Sequence, residues 1–503
     1  MKYIMGIDLG TSSVKAVVTD LAGHTVSRGQ AAYEILRPQP DWAEQSPDTW
    51  WECTKTAVRE AIRQAEQVTG NLHLAKEITA VGLSGQMHGL TALDSRKAPL
   101  RNCIIWADKR SQPEIDELCR AGIGDELSRA ALNGVSPGFL LSSLLWMKKW
   151  EPDLFGQIDT VLFPKDYIRF RLTGRIGTDI TDASGSGIFD AVSYRWPETA
   201  EKLGISLRIF PPIFRSHEIA GGVTESAADE TGLKARTPVV FGGGDTPMHT
   251  VGNGLIRPGM LSVNIGTAAQ IAGCVGRPYR DRELRCNTFC LPVPDRWLVT
   301  GAVLNGGIVM DWLKNKILQI EDYREVDELA SSAPFGNGGL YFLPYLMGER
   351  TPHMNPEASG CYFGLRPDHD RGCLLRAAME GTAFALKEAL DVVEEAGDFD
   401  SAMIASGGGA RSRFFLQMMA DIFHKKVRRA AETEEACLGA CMTAAVGVGL
   451  YPDYESACAA MTAGSVETYE PDETKYRLYQ ERFSLFQEIY RQNVFLFSKI
   501  ELK

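Results

Sequence analysis

The sequence has 503 residues, of which 44% are hydrophobic and 23% charged, and its formal net charge at pH 7 is −11. This length predicts two or more domains with large cores, and the negative charge argues against nucleic acid or an anionic membrane as a partner. Eleven cysteines follow no repeating spacing, no leader-like segment opens the chain and no run of 18 apolar residues occurs. We therefore predict a cytoplasmic protein with reduced thiols that neither is secreted nor spans a membrane.

The first half of the chain reads as strands and helices separated by glycine-rich turns. Short apolar runs over the first forty residues predict a strand meander, and Ser46-Pro47 predicts the start of a helix. A buried strand is predicted at 78–83, ending in a polar loop at 84–89. Another is predicted at 237–241, ending in Gly242-Gly243-Gly244-Asp245.

The second half repeats this plan. Residues 261–308 predict a second meander, followed by strands at 401–405 and 426–429 and helices at 412–423 and 434–446. A long amphipathic helix is predicted at 472–499. The alternation predicts an α/β protein with two halves of similar plan, and we place the boundary between residues 1–252 and 253–503.

One pattern occurs in both halves, about half the chain apart. Residues 5–18 contain Gly10-Thr11 between two apolar runs, and residues 261–272 contain Gly266-Thr267 in the same setting. Each predicts a β-hairpin whose glycine corner brings backbone N–H groups close to an anion. A single Gly-Thr corner is usually only a turn. The duplication favours two similar halves facing each other across a nucleotide.

Six motifs in order along the chain resemble those of the FGGY carbohydrate kinases, over residues 5 to about 449. They are Asp8-Leu9-Gly10-Thr11, the 84–89 loop, Trp106-Ala107-Asp108-Lys109-Arg110, Gly243-Gly244-Asp245, Asn264-Ile265-Gly266-Thr267 and Gly407-Gly408-Gly409-Ala410. The resemblance implies two ribonuclease H-like domains of the actin/hexokinase type facing across a nucleotide cleft. It also implies ATP and Mg²⁺ as cofactors and a small sugar as substrate. The Gln86-Met87-His88-Gly89 loop is most similar to that of the xylulokinases, which implies conversion of D-xylulose to D-xylulose 5-phosphate.

The resemblance also assigns the sugar site. It implies that Asp245 is the catalytic base, because phosphoryl transfer needs a positioned hydroxyl and an acceptor for its proton. Asp245-Thr246-Pro247 is also a good helix start, and the two roles are compatible. Met87 and His88 are the implied sugar contacts, the first as an apolar wall and the second as a hydrogen-bonding group. Trp106 is read as a sugar platform or a core residue, and Asp108 with Arg110 as pocket residues or a plain ion pair.

The nucleotide site is assigned in the same way. The resemblance implies that Asp8 helps to place Mg²⁺ through water, its alternative being a turn-forming aspartate. Phosphate and nucleoside contacts are expected from both hairpins and two glycine loops, at Thr11, Ser12, Lys15, Gly266, Thr267, Gly307, Gly408 and Gly409. Lys15 is also compatible with a solvated strand position. No GxxxxGK[ST] motif occurs, which excludes a Walker-type NTPase.

Two departures and two alternatives accompany this reading. Thr246-Pro247-Met248-His249 stands where many xylulokinases have Asn or Gln followed by small residues, which leaves the identity of the sugar open. Cys373 stands where a polar residue is usual, and we interpret this as a local change in packing. A kinase for ribulose, gluconate, glycerol or a deoxy-ketose is the first alternative. An actin-like ATPase acting as a chaperone or filament subunit is the second, since one fold hosts many functions. The family's tendency towards dimers leaves a homodimer open.

Overall fold

The computed structural model describes residues 2–430, 434–462 and 467–500. The first half of the chain forms thirteen strands, β1 (Tyr3–Leu9), β2 (Ser13–Thr19), β3 (Thr25–Ala32), β4 (Glu44–Gln45), β5 (Ile78–Gly85), β6 (Thr91–Leu93), β7 (Cys103–Ile104), β8 (Thr160–Leu162), β9 (Thr178–Asp179), β10 (Ile213–Phe214), β11 (Ile219–Gly222), β12 (Pro238–Val240) and β13 (Gly243–Gly244). Its helices are α1 (Pro47–Thr69), α2 (Gln112–Arg120), α3 (Ile123–Ala131), α4 (Leu140–Trp150), α5 (Pro152–Phe155), α6 (Pro164–Thr173), α7 (Ile180–Ser184), α8 (Thr199–Lys202), α9 (Glu225–Thr231) and α10 (Asp245–Gly252).

The second half contributes the remaining described elements. Its strands are β14 (Leu261–Ile265), β15 (Ala269–Val275), β16 (Asn287–Cys290), β17 (Trp297–Val303), β18 (Tyr341–Leu343), β19 (Cys361–Phe363), β20 (Ala402–Ser406), β21 (Lys426–Arg429) and β22 (Thr468–Tyr469). Its helices are α11 (Gly307–Trp312), α12 (Tyr323–Ser332), α13 (Arg371–Glu394), α14 (Arg413–Phe423), α15 (Glu435–Gly447), α16 (Tyr454–Met461) and α17 (Glu473–Phe497). Within the described ranges, no helix is both long and apolar enough to cross a bilayer.

Each half is built around a seven-stranded mixed sheet. The first has the order β11-β12-β5-β1-β2-β3, with β13 paired to the end of β5, and the second the order β16-β17-β15-β14-β20-β21-β22. β1 pairs antiparallel with β2 and parallel with β5, while β14 pairs antiparallel with β15 and parallel with β20. The two glycine hairpins therefore occupy equivalent places in the two sheets. The predicted α/β architecture with two similar halves is confirmed.

Two helices pack closely between the sheets, and glycines make that contact possible. α15 follows the second sheet's β21 in sequence, yet it lies against β1 and β5 of the first. A Cβ atom at Gly82 would lie 1.9 Å from the carbonyl oxygen of Ala440 in α15, so only glycine permits this approach. α10 crosses α15 equally closely, because a Cβ at Gly439 would lie 1.9 Å from the oxygen of Met248. The helix that begins at Asp245 is thus held rigidly between the two halves.

The cysteine noted in the sequence lies in a packing position. Cys373 is buried in the first turn of α13, and its backbone N–H donates to the Asp370 side chain that caps this helix, at 2.9 Å. The thiol belongs to the main apolar core of the second half. A small, weakly polar side chain is easily accommodated there.

Candidate active site

Two carboxylates lie at one edge of the first sheet because neighbouring strands end there. Asp8, near the end of β1, pairs in register with Ser84 of β5, and Gly244 of β13 pairs with Gly85 on the other side of β5. Asp245 follows Gly244 directly and opens α10. The parallel strands therefore bring Asp8 and Asp245 to opposite sides of the same strand end, although 237 residues separate them in sequence.

The pair is electrostatically strained. Burial and the nearby Asp8 charge raise the pKa of Asp245 to about 7, although the Thr246 N–H donates to its Oδ1 at 2.7 Å. Burial also raises the pKa of Asp8, against the opposing effects of a 2.7 Å hydrogen bond from Ser84 Oγ and the charge of Lys15. Two such carboxylates favour the uptake of a proton or a cation. A carboxylate that titrates near neutrality is well suited to accept a proton from a hydroxyl group.

The predicted sugar contacts stand beside this edge. Met87 packs directly on the backbone before Asp245, since a Cβ at Gly244 would lie 2.5 Å from its Cγ. His88 adopts a left-handed backbone (φ 76°) and stacks on Phe139 with ring centroids 4.1 Å apart. The two side chains meet at Gly185, where a Cβ would lie 2.8 Å from His88 Nδ1 and 3.0 Å from Met87 Cε, so the polar ring and the apolar side chain are neighbours and Met87 adjoins Asp245.

The hydrogen bonding of His88 fixes what its ring offers to a ligand. Burial lowers the pKa of His88 to about 4, so the imidazole is neutral at pH 7. Its Nδ1 lies 2.6 Å from the carbonyl oxygen of Gly185, which can only accept, so Nδ1 carries the proton. Nε2 is therefore a hydrogen-bond acceptor, suited to a sugar hydroxyl.

Trp106 and its neighbours take different roles. Trp106 is 41% exposed and its Nε1 donates to Thr11 Oγ1 at 3.0 Å, so it is not a core residue and is tied to the first hairpin. The side chains of Asp108 and Arg110 are 0% and 1% exposed and form an ion pair at 2.8 Å. Arg110 also pairs with Glu44. These two residues support the loop from within the core and do not line the pocket.

A cavity of about 660 Å³ lies in the second half and fits a nucleotide in size. Its walls combine glycine corners, apolar side chains and a few charged groups. The predicted nucleotide residues that line it are Gly266, Thr267, Gly307, Gly408 and Gly409, and the apolar wall is formed by Ile265, Met310, Val326, Met379 and Phe415. The structure therefore brings five predicted positions from three separate segments into one cavity.

The glycines of this cavity differ in what they permit. A Cβ at Gly409 would lie 2.4 Å from Ile265 Cγ2, and one at Gly307 would lie 2.8 Å from the oxygen of Gly266. Gly307 also donates its N–H to that same oxygen at 2.8 Å, which joins the two corners. A Cβ at Gly408 meets nothing within 4 Å. The first two glycines are needed for packing, whereas Gly408 leaves open space beside the cavity.

The other three predicted nucleotide residues do not line this cavity. Thr11 and Ser12 lie in the turn of the first hairpin, and Lys15 is on β2. The Lys15 Nζ donates to Glu434 at the start of α15, at 2.8 Å. Lys15 is therefore a partly exposed strand residue whose ammonium is paired with Glu434, and its contact with phosphate stays a prediction. Its cation ties the first hairpin to the helix between the sheets.

A buried polar network supports the backbone before Asp245, and sequence reasoning missed it. The Gly244 N–H donates to Thr181 Oγ1 at 2.9 Å, and that hydroxyl donates to Asp179 at 2.7 Å. Asp179 in turn lies 3.0 Å from the buried ammonium of Lys165. These residues carry no motif of their own in the sequence. They fix the direction in which the chain enters α10.

Comparison with known proteins agrees with this arrangement. The model of the N-terminal domain of the FGGY family of carbohydrate kinases matches residues 3–252, and that of the C-terminal domain matches residues 265–448. The chain is 34% identical to a xylulose kinase of Bacillus subtilis over 491 residues, which cover 97% of each chain. It is 29% identical to a gluconokinase of Bacillus subtilis over 497 residues, which cover 96% of this chain and 94% of the relative. The crystal structure of a ligand-bound xylulose kinase from Lactobacillus acidophilus superimposes with a TM-score of 0.92 at 27% identity, covering all of both chains.

Proposed function

The chain belongs to the FGGY family of carbohydrate kinases, and on that premise we propose that it transfers the γ-phosphoryl group of ATP to D-xylulose, giving D-xylulose 5-phosphate. The observation that carries the proposal is the position of Asp245. Its carboxyl group has a pKa of about 7, adjoins the Met87–His88 wall and opens the helix that reaches the second sheet. We infer that the sugar binds on the side of Met87 and His88 and that the phosphoryl donor reaches Asp245 from the nucleotide cavity.

The sugar is held by complementary hydrogen bonding. The reacting hydroxyl donates its proton to the Asp245 carboxylate as its oxygen attacks the γ-phosphorus, while the bond from that phosphorus to the β,γ-bridging oxygen breaks and ADP leaves. A second hydroxyl donates to Nε2 of His88, while Met87 and Trp106 cover the carbon face of the sugar. Because the reaction has a loose transition state, Asp245 orients the hydroxyl as well as deprotonating it.

The nucleotide occupies the cavity between the glycine corners. Gly266 and Thr267 bind phosphate oxygens through backbone N–H groups, and Gly307, Gly408 and Gly409 accommodate the nucleoside. The first hairpin, with Thr11 and Ser12, closes on the phosphates from the other half and excludes water.

The residues near Asp8 fit a hydrated magnesium ion. Asp8 and Asp245 provide two carboxylates at one strand end, and the described part of the chain holds no group of three or more potential metal ligands. Such a site suits Mg²⁺, which keeps several waters and takes its other ligands from phosphate. When bound, the ion neutralises phosphate charge. Asp8, whose Oδ1 accepts a hydrogen bond from Ser84, would hold the ion through water.

A panel of acceptors tests the proposed substrate. ADP release is measured with D-xylulose, D-ribulose, gluconate and glycerol at equal concentrations, and the phosphorylated product is identified by mass. We expect the highest kcat/KM for D-xylulose. A higher value for gluconate would replace the proposed substrate by the one named for the second relative. ATP turnover that no sugar or polyol stimulates would contradict the kinase activity and favour an actin-like ATPase.

A further inference from the structure

His249 connects the helix of the catalytic base to the second sheet. It lies four residues after Asp245 on α10, and its Nε2 is 2.7 Å from Nδ2 of Asn264 on β14. The same nitrogen is 3.4 Å from Oγ of Ser406 at the end of β20. The ring thus meets two adjacent strand ends of the other half. The unusual sequence after the base, which left the sugar open, directs this side chain to the nucleotide half.

The chemistry of this contact is defined by its partners. Burial lowers the pKa of His249 to about 4, so the ring is neutral at pH 7 and has one donor and one acceptor nitrogen. The Asn264 amide donates to Nε2, and Nδ1 therefore carries the ring proton. Asn253, one turn further along the chain, places its Nδ2 3.3 Å from Nε2 and 3.4 Å from Ser406 Oγ. The four side chains form one polar cluster between the halves.

Asn264 in turn adjoins both glycine corners of the nucleotide cavity. It is two residues before Gly266, and its Oδ1 would lie 2.6 Å from a Cβ at Gly407. Four helical residues span about 6 Å along the axis. One helical turn and one hydrogen bond therefore separate the carboxylate of Asp245 from the strand end that leads into the phosphate-binding corner.

We propose that His249 is a positioning residue, which sets the distance between the base and the phosphoryl donor by tying α10 to Asn264. This inference rests on the kinase activity proposed above. The ring bonds to Asn264 and does not line the nucleotide cavity, so we expect it to affect the alignment of the two reactants and not the affinity for either alone. An error of about 1 Å in such an alignment costs about a hundredfold in rate.

The test first compares three single variants with the sugar that the wild-type protein phosphorylates best. His249→Phe keeps a ring and removes the acceptor, whereas His249→Gln keeps an acceptor oxygen. Thr250→Val is the matched control, because Thr250 is buried on the same helix and its hydroxyl donates to the Thr246 carbonyl of that helix, at 2.8 Å. We expect His249→Phe to lower kcat about tenfold or more, with both KM values within about threefold of wild type. His249→Gln should regain part of that loss, and Thr250→Val should keep the wild-type kcat.

A double substitution separates positioning from simple stabilisation. Asn264→Ala should lower kcat in the wild-type background. It should have little further effect in the His249→Phe background, because the two substitutions remove the same hydrogen bond. Wild-type kcat in His249→Phe, with only a lower melting temperature, would overturn the inference. If His249→Phe does not fold, Asn264→Ala is measured alone, and a wild-type kcat in that variant would overturn the inference. Absence of sugar phosphorylation by the wild-type protein would instead refute the proposed function, so the two failures are distinguishable.

Discussion

Replacing Asp245 by Asn should abolish activity and stabilise the protein. The pKa of Asp245 is raised from 3.8 to about 7, mainly by burial and then by the charge of Asp8. Each pH unit corresponds to about 1.4 kcal/mol, so ionising this carboxyl group costs about 4 kcal/mol more in the folded than in the unfolded protein. The folded state binds this proton more tightly than the unfolded state does. The stability that the bound proton contributes is therefore lost as the pH rises through the folded-state pKa of about 7. An amide carries no charge and escapes this cost.

The assay measures unfolding and turnover together. In urea, without ATP, sugar or divalent cations, the free energy of unfolding of Asp245→Asn should exceed that of wild type by about 4 kcal/mol at pH 8 and by less than half as much at pH 5. kcat should fall by about 10² to 10⁴, because the proton acceptor is gone. In the wild type, kcat/KM should rise with pH up to about 7, where the base becomes ionised.

A matched control separates this effect from a general gain by Asp-to-Asn exchange. Asp453 is exposed and caps α16, and hydrogen bonds from Ser456 lower its pKa. Its charge favours the folded state, so Asp453→Asn should not stabilise the protein at pH 8 and should leave kcat unchanged. If Asp245→Asn lost activity but was no more stable than wild type at pH 8, the two carboxylates would not be strained as described. Wild-type turnover by Asp245→Asn would show that Asp245 is not the catalytic base.

Two further changes test the two pockets, and a third tests the buried ion pair of Asp108 and Arg110. His88→Phe should raise the KM for sugar about tenfold or more, because it removes the Nε2 acceptor, and should leave the KM for ATP unchanged. An equal rise in both KM values would contradict a sugar contact. Gly408→Ala should raise the KM for ATP, because the new methyl group would occupy space beside the nucleotide cavity. It should not lower the melting temperature, because a Cβ there meets no protein atom within 4 Å. Gly397→Ala is the control in the same assay, since a Cβ at Gly397 also meets nothing within 4 Å. Arg110→Met should lower the free energy of unfolding in urea by about 3 to 5 kcal/mol, because the buried Asp108 carboxylate loses its ion-pair partner. An unchanged midpoint of urea unfolding would show that the ion pair is not needed for folding.

The central strands of both sheets and several helices followed from the sequence because their signals are local. The strand predicted at 426–429 is β21 (Lys426–Arg429), and the helix predicted at 434–446 is α15 (Glu435–Gly447). Alternating apolar runs, with glycine at their ends, determine such elements within a few residues. The duplicated Gly-Thr hairpin predicted the equivalence of the halves, which the parallel strands β5 and β20 complete.

The candidate site was only partly accessible from the sequence. Asp245, Met87 and His88 carry a motif, and five nucleotide positions meet in one cavity. Lys15 shows the limit, because its partner Glu434 is 419 residues away and no local pattern connects them. The motif left Asp108 and Arg110 open as pocket residues or a plain ion pair, and only their burial in the folded chain decided for the ion pair.

The sequence by itself determined which backbone segments are strands, helices and glycine corners, since these depend on the preferences of neighbouring residues. Only the tertiary structure decided the charge state of Asp245, the tautomer of His88 and the partner of His249. Those properties arise from burial and from contacts between residues far apart in the chain. Their energies exist only once both halves have folded around α10 and α15.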